Sequence, residues 1–322
     1  MIKKILLMIS MIILSACSLN EDNLKPEFSS DYICYTYTHV TDEVDKFEMD
    51  TYLYDLNSYK SELVSSINYN AQYPLTYYDK SDNVVYYTQR KGESHNDEVY
   101  VYDCKTKKTK KLTEGIYAVN AIYKVGKDKL ALIAMTSSRY IHLVFLNTYT
   151  LELDEIYKDD YNITAQYYDQ KRNKMILAGF MADEEYKIRD EYNSDLTDTY
   201  IVDNTIYEYD IETGVFELVF HSNTGYIVSL VGNEDYIYFK ENDYISSEKR
   251  MIRYDCHTKE KSQSIDFKGV YELIAISDNS DYIIYSNDRK LKMINLNNGE
   301  IENLFHDNVE GIINNGFLGY GI

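Results

Sequence analysis

Tryptophan is absent from this 322-residue chain, proline occurs twice, and cysteine occurs only four times. Cys104 and Cys256 stand in a slot of an internal repeat that Leu56, Leu146, Ile211 and Leu296 fill elsewhere. They read as small apolar core residues rather than ligands or redox centres, and no disulfide is expected. The six histidines are scattered, none at ligand spacing from another His or from Cys, so no zinc site and no cofactor are expected. An Asp-x-Asp-x-Asp-Gly calcium loop is missing, as is a Gly-x-Ser-x-Gly nucleophile elbow, and no catalytic residue can be named. Cations are few: 33 Lys and Arg face 53 Asp and Glu. Such a surface repels nucleic acid and anionic lipid. Beyond the N-terminus no apolar run is long enough to span a bilayer. The scarcity of Ala, Gly and Pro beside abundant Asn, Ile, Lys and Tyr is the composition of an AT-rich genome.

What is present is one phrase written six times. An apolar strand ends in Tyr-Asp or a near equivalent, a polar turn follows, then a second short strand. It reads Tyr54-Asp55, Tyr102-Asp103, Val144-Phe145, Tyr209-Asp210, Tyr254-Asp255 and Ile294-Asn295, with second residues 48, 42, 65, 45 and 40 positions apart. A period in the low forties built of strands and turns predicts four-stranded propeller blades. The chain carries 36 tyrosines. Most fall at strand positions of the repeat, where an apolar body and a polar tip suit the packing between blades.

Residues 1–16 predict a bacterial secretion signal. Lys3 and Lys4 supply its positive end, and Ile5 to Leu14 an apolar stretch too short for a mature membrane helix. Leu14-Ser15-Ala16-Cys17 matches the lipobox of bacterial lipoproteins, against the plainer reading of an ordinary signal with a cysteine nearby. Cys17 is then the lipidation site, and two or three acyl chains give a lasting anchor. Residues 17–29 read as a flexible tether and 30–322 as one propeller domain. The expected place is the extracytoplasmic face of the cell membrane.

The unit from Tyr73 to Gly115 contains Ser81-Asp82-Asn83, Tyr100-Val101-Tyr102-Asp103 and Leu112-Thr113-Glu114-Gly115. Ser277-Asp278-Asn279-Ser280-Asp281 repeats its opening turn. These pieces resemble the repeat of TolB-like propellers, with Asn and Ser in place of the usual Pro and Gly of the turn. The resemblance covers about residues 30–322 and implies a fold without catalytic residues. The first unit lacks an innermost strand, while the chain runs on past Phe305 through Gly316-Phe317-Leu318-Gly319-Tyr320. The expected fold is therefore all-β, a six-bladed propeller of four-stranded blades, closed by a C-terminal strand that completes blade one. A seventh, degenerate blade is the other option.

The longest interruption of the repeat, Ala182 to Asn204, reads as an acidic loop. Asp183, Glu184, Glu185, Asp190, Glu191, Asp195 and Asp198 are its candidate partner-binding residues; a solvated rim is the plain alternative. The equivalent loop of blade one, read from His39 to Thr51, adds Asp42, Glu43, Asp45, Glu48 and Asp50 to the same face. His221 and His306, each after a Phe at the end of an outer strand, are expected there too. The expected function is a monomeric, non-enzymatic binding or scaffold lipoprotein that offers this face to an envelope protein. The alternative is a metal-dependent hydrolase or lyase in the central channel.

Overall fold

A computed structural model describes residues 26–320, apart from 42–45, 91–95, 138, 195, 197–199, 247, 264–269, 271, 288–289 and 305–311. Twenty-four strands form six antiparallel four-stranded sheets. Blade one holds β1 (Tyr32–Val40), β2 (Phe47–Asp55) and β3 (Lys60–Tyr69). Blade two is β4 (Thr76–Asp79), β5 (Val84–Arg90), β6 (Asp97–Asp103) and β7 (Thr109–Lys111). Blade three is β8 (Ala118–Gly126), β9 (Lys129–Met135), β10 (Ile141–Asn147) and β11 (Leu153–Ile156). Blade four is β12 (Tyr161–Asp169), β13 (Lys174–Met181), helix α1 (Ala182–Asn193), β14 (Asn204–Asp210) and β15 (Phe216–Ser222). Blade five is β16 (Gly225–Gly232), β17 (Tyr236–Asp243), β18 (Lys249–Asp255) and β19 (Lys261–Gln263). Blade six is β20 (Glu272–Ile276), β21 (Tyr282–Asn287), β22 (Lys290–Asn295) and β23 (Ile301–Asn303), after which β24 (Ile312–Tyr320) returns to blade one.

That last strand pairs antiparallel with β1, from Tyr32 opposite Tyr320 to Thr38 opposite Ile312. The expected six blades and C-terminal closure are therefore present. Closure removes the sheet edge that β1 would otherwise present to other chains.

The repeated phrase has a local cause. The side chain of Asp55 accepts the backbone N–H of Asn57 and Ser58, at 2.7 and 2.8 Å. Asp103, Asp210, Asp255 and Asn295 do the same for residues two and three further on. These Asx turns satisfy backbone donors that a tight hairpin leaves without partners. Four residues after the Asx residue the chain turns left-handed, at Tyr59, Lys107, Leu151, Gly214, Lys259 and Gly299. Each of those six donates its N–H to the carbonyl of the Asx residue.

Blade three corrects the phasing read from the sequence. Its turn residue is Asn147, whose Oδ1 accepts from Tyr149 and Thr150 at 2.9 Å each. Phe145 lies two residues earlier, buried inside β10. The slot shared by Cys104 and Cys256 is thus filled here by Thr148, and Leu146 belongs to the strand core. Cys34 is fully buried, Cys104 and Cys256 are half-buried, and all three are free thiols; Cys17 lies outside the described residues.

The core sits between blades, and tyrosine suits it. Tyr54 is 1% exposed, and its hydroxyl donates to Leu304 O, beyond the outer strand of blade six, at 2.6 Å. Tyr254 repeats the contact one blade earlier, donating to Val219 O of β15 at 2.8 Å. A ring packed between blades thus ends in a hydrogen bond to the preceding blade.

Candidate docking face

Antiparallel blades send alternate connections to opposite ends of the ring. One end carries the Asx hairpins and will be called the turn face. The other carries the connections between second and third strands and the crossovers between blades, and will be called the loop face.

The acidic insertion of blade four forms a helix on the loop face where the sequence suggested a loop. Its apolar residues make no continuous stripe, and only Ala182 is buried. Polar interactions in its N-terminal half account for it. Asp160 Oδ2 accepts the N–H of Asp183 at 2.6 Å, capping the first turn from outside the helix. Asp183, Glu184 and Glu185 place negative charge in that turn, where the peptide dipoles favour it. Glu185 and Arg189 form an i,i+4 ion pair at 3.5 Å, the better of the two orientations for such a pair. The hydroxyl of Tyr140 in blade three donates to Asp183 at 3.2 Å, tying the helix to its neighbour.

The seven candidate residues divide accordingly. Asp183, Glu184, Asp190 and Glu191 are exposed on α1. Glu185 is turned inward, with a side chain only 12% exposed, and accepts the Tyr200 hydroxyl as well as Arg189. Burial together with that carboxylate raises the Tyr200 pKa above its ordinary value. Asp195 and Asp198 lie outside the described residues. His221 is at the loop-face end of β15, 3.0 Å from Asp203; His306 lies outside the described residues.

Several acids near this face hold the scaffold together instead. Asp97 is fully buried and accepts the N–H of Gln72 and Tyr73, pinning the crossover from blade one to blade two. Glu98 accepts from Thr113, Gly115 and Ile116 and fixes the next crossover. Glu241 accepts from Ser222 and Thr224 between blades four and five. Each is a buried carboxylate satisfied by several donors, the arrangement that burial demands. Nothing in the sequence separates these acids from those on α1, because the donors that hold them come from crossovers distant along the chain.

Large apolar side chains are exposed on the same face. Val40, Phe47, Tyr73, Tyr117, Tyr157, Tyr192, Leu196 and Ile245 all lie at its loops, strand ends or helix. Exposed apolar groups ringed by charge are the composition of protein-binding surfaces.

The blade-one segment read as a loop from His39 to Thr51 is mostly strand, with His39 in β1 and Glu48 and Asp50 in β2; Asp42, Glu43 and Asp45 lie outside the described residues. His39, Glu48 and Asp50 converge on blade one, with candidate ligand atoms all within 4.8 Å of one another. In the channel, Glu272 on the innermost strand of blade six has its carboxyl pushed up to about 7 by burial. Its charge acts on Tyr123 of the opposite blade, whose hydroxyl is pushed far up, chiefly by its own burial.

No protein-family model matches the chain, and no curated protein matches it. Among solved structures it is similar to TolB from Acinetobacter baumannii, at 14% identity and a TM-score of 0.53, over 92% of this chain and 70% of that one. It is also similar to a putative TolB from Agrobacterium tumefaciens, at 12% identity and 0.55, over 84% and 89%. A third is the β-propeller domain of the Trilobed protease from Pyrococcus furiosus, at 15% and 0.54, over 87% and 83%. That domain is described as having an open velcro topology, whereas here β24 closes blade one. The fold is that of a TolB-like six-bladed propeller.

Proposed function

We propose that this chain is a binding or scaffold propeller, held at the outer face of a membrane by lipid on Cys17, which docks an envelope protein on its loop face. The observation that carries the reading is α1, a solvent-facing helix with four exposed carboxylates inserted into one blade and surrounded by exposed apolar side chains. The partner is a protein with a basic, partly apolar patch. Charge of opposite sign speeds and orients such an encounter, and the apolar side chains give it lasting contact.

The route of the chain supports the same orientation. Phe28 bridges Ser277 in the connection between β20 and β21, and Glu27 O accepts the N–H of Asp278. The chain therefore enters the body on the turn face, opposite α1. Eleven residue steps separate Cys17 from Phe28, a reach of roughly 40 Å at full extension. The longest blade strands, of nine or ten residues, are themselves about 30 Å long. The anchor thus favours the turn face towards the lipid and leaves the loop face towards the envelope space.

The test is cross-linking in intact cells with mass-spectrometric identification, for the wild type and for a variant with Asp190 and Glu191, the exposed carboxylates outside the first turn of α1, changed to Lys. One envelope protein captured by the wild type and lost in the variant is expected, with an unchanged melting temperature. Equal capture by both would overturn the role of α1. Changing Cys17 to Ser should release the protein from the membrane fraction; retention there would overturn the lipid anchor. The channel reading has no comparable support. The metal-capable cluster among the described residues lies on the second and third strands of blade one, away from the axis.

A further inference from the structure

His39 and Glu48 are directly opposed on β1 and β2, and Asp50 is opposed to Tyr37. Alternation along a strand sends residues two apart to the same side. All three functional side chains therefore leave blade one on the same side, near its loop-face end. His39 Nε2 stands 3.2 Å from Asp50 Oδ2 and 3.8 Å from Glu48 Oε2. A tetrahedral zinc ion with nitrogen and oxygen ligands holds them about 3.4 Å apart. Both histidine–carboxylate separations are close to what an ion between them requires, and no two of the three ligand atoms are more than 4.8 Å apart.

Asp50 supplies an observation independent of that spacing. It is 6% exposed, and its second oxygen, Oδ1, is buried without a hydrogen-bond donor. A buried carboxylate is normally satisfied on both oxygens. Here the only close partner among the described residues is a neutral or singly charged imidazole on the other oxygen. A carboxylate so short of donors, facing a histidine and a second carboxylate, is the environment of a cation ligand. The surrounding contacts orient the set: Ser66 Oγ donates to Glu48 Oε2 at 3.3 Å, and the Tyr37 ring stacks on His39 at 5.5 Å. The side chains of His39 and Glu48 are 30% and 35% exposed, so an ion can enter from solvent.

We propose that His39, Glu48 and Asp50 form a binding site for one divalent transition-metal ion, zinc being the best match to one imidazole and two carboxylates. The ion takes the place of the proton between His39 Nε2 and Asp50 Oδ2, and that proton goes to solvent. Three protein ligands leave one position for water or a partner's side chain. The ion ties β1 to β2 at the loop-face end of the blade whose pairing with β24 closes the ring. The inference stands apart from the docking reading, since it rests on other residues.

The test uses purified full-length protein stripped with chelator. Zinc is titrated against a chromophoric competitor, and cobalt(II) is added separately for its visible spectrum. The expected result is one zinc per chain at micromolar affinity or better, with the intense visible bands of four-coordinate cobalt. Asp50→Asn keeps the shape of the side chain, and His39→Gln changes a partly exposed one. Each should weaken zinc by more than about tenfold without lowering the metal-free melting temperature. If Asp50→Asn does not fold, His39→Gln decides alone. An adventitious ion only, bound equally by wild type and variants, would overturn the proposal, as would no binding at 100-fold excess of metal.

Discussion

At the scale of single residues, the Asx hairpin explains both what the sequence revealed and what it hid. Tyr-Asp before a polar turn is conspicuous because each residue has a separate task, the ring between blades and the carboxylate over the turn. In blade three both letters change, to Leu146 and Asn147, while the turn keeps its geometry. Phasing on Val144-Phe145 therefore slipped by two residues. The left-handed positions were hidden because four of the six are not glycine: Tyr59, Lys107, Leu151 and Lys259. A side chain there costs about 1 kcal/mol relative to glycine. Leu151→Gly should therefore raise the urea midpoint and Gly214→Ala lower it, each by a stability change of about 1 kcal/mol. Movement of both midpoints in the opposite sense would contradict the hairpin geometry. Cys34 offers a second check at this scale. Burial pushes its thiol up to about 12, so almost no thiolate exists at pH 8. It should stay unlabelled by iodoacetamide in the native protein and react once the chain is unfolded. Labelling of native Cys34 at the rate of an unfolded control would refute its burial.

At the scale of elements, strands were legible and the helix was not. Strands repeat, and each repetition supports the others; α1 occurs once, and its apolar residues follow no helical period. Its capping group, Asp160, comes from the crossover preceding β12, 23 residues before the N–H it accepts. A capping bond spanning that distance leaves no local signature. Asp160→Ala should lower helix stability by about 1 kcal/mol, the usual value of a cap, with little change in global melting. Hydrogen exchange measures it: amides of α1 should lose protection while those of β13 keep theirs. Equal protection in both proteins would show that the helix does not depend on Asp160. The blade-one cluster was hidden for a related reason. His39 and Asp50 meet across a hairpin, and strand register, not sequence spacing, brings them together.

At the scale of the whole molecule, the channel and the closure govern stability. Burial pushes the Glu272 carboxyl up to about 7 in the folded protein, from an ordinary value of 4.5. As pH rises from 4.5 the unfolded chain gives up this proton first, so the folded state loses stability until about pH 7 and no further beyond it. Glu272→Gln should therefore be more stable than the wild type at pH 8 and nearly equal to it at pH 4.5. The same difference in melting temperature at both values would refute the burial of a charge.

Closure makes a stronger claim, because it joins the two ends of the described chain. Ending the protein at residue 304 removes β24 and leaves the backbone of β1 without a partner from Tyr32 to Thr38. That strand is largely buried in the intact ring, with Ile33, Cys34, Tyr35 and Tyr37 at 5% exposure or less. A long edge of this kind recruits another strand, and the nearest supply is the β1 edge of a second copy. The truncated chain should therefore run as a dimer or larger species by light scattering. A synthetic peptide of residues 312–320 should return it to a monomer. The peptide matters to the argument, because truncation alone could expose a sticky core without involving the edge. Rescue by that sequence, with no rescue by a scrambled peptide of equal composition, ties the effect to strand pairing. A truncated monomer with the unfolding midpoint of the full chain would mean that five blades and a remnant suffice, and that β24 is an ornament on a ring already closed by packing.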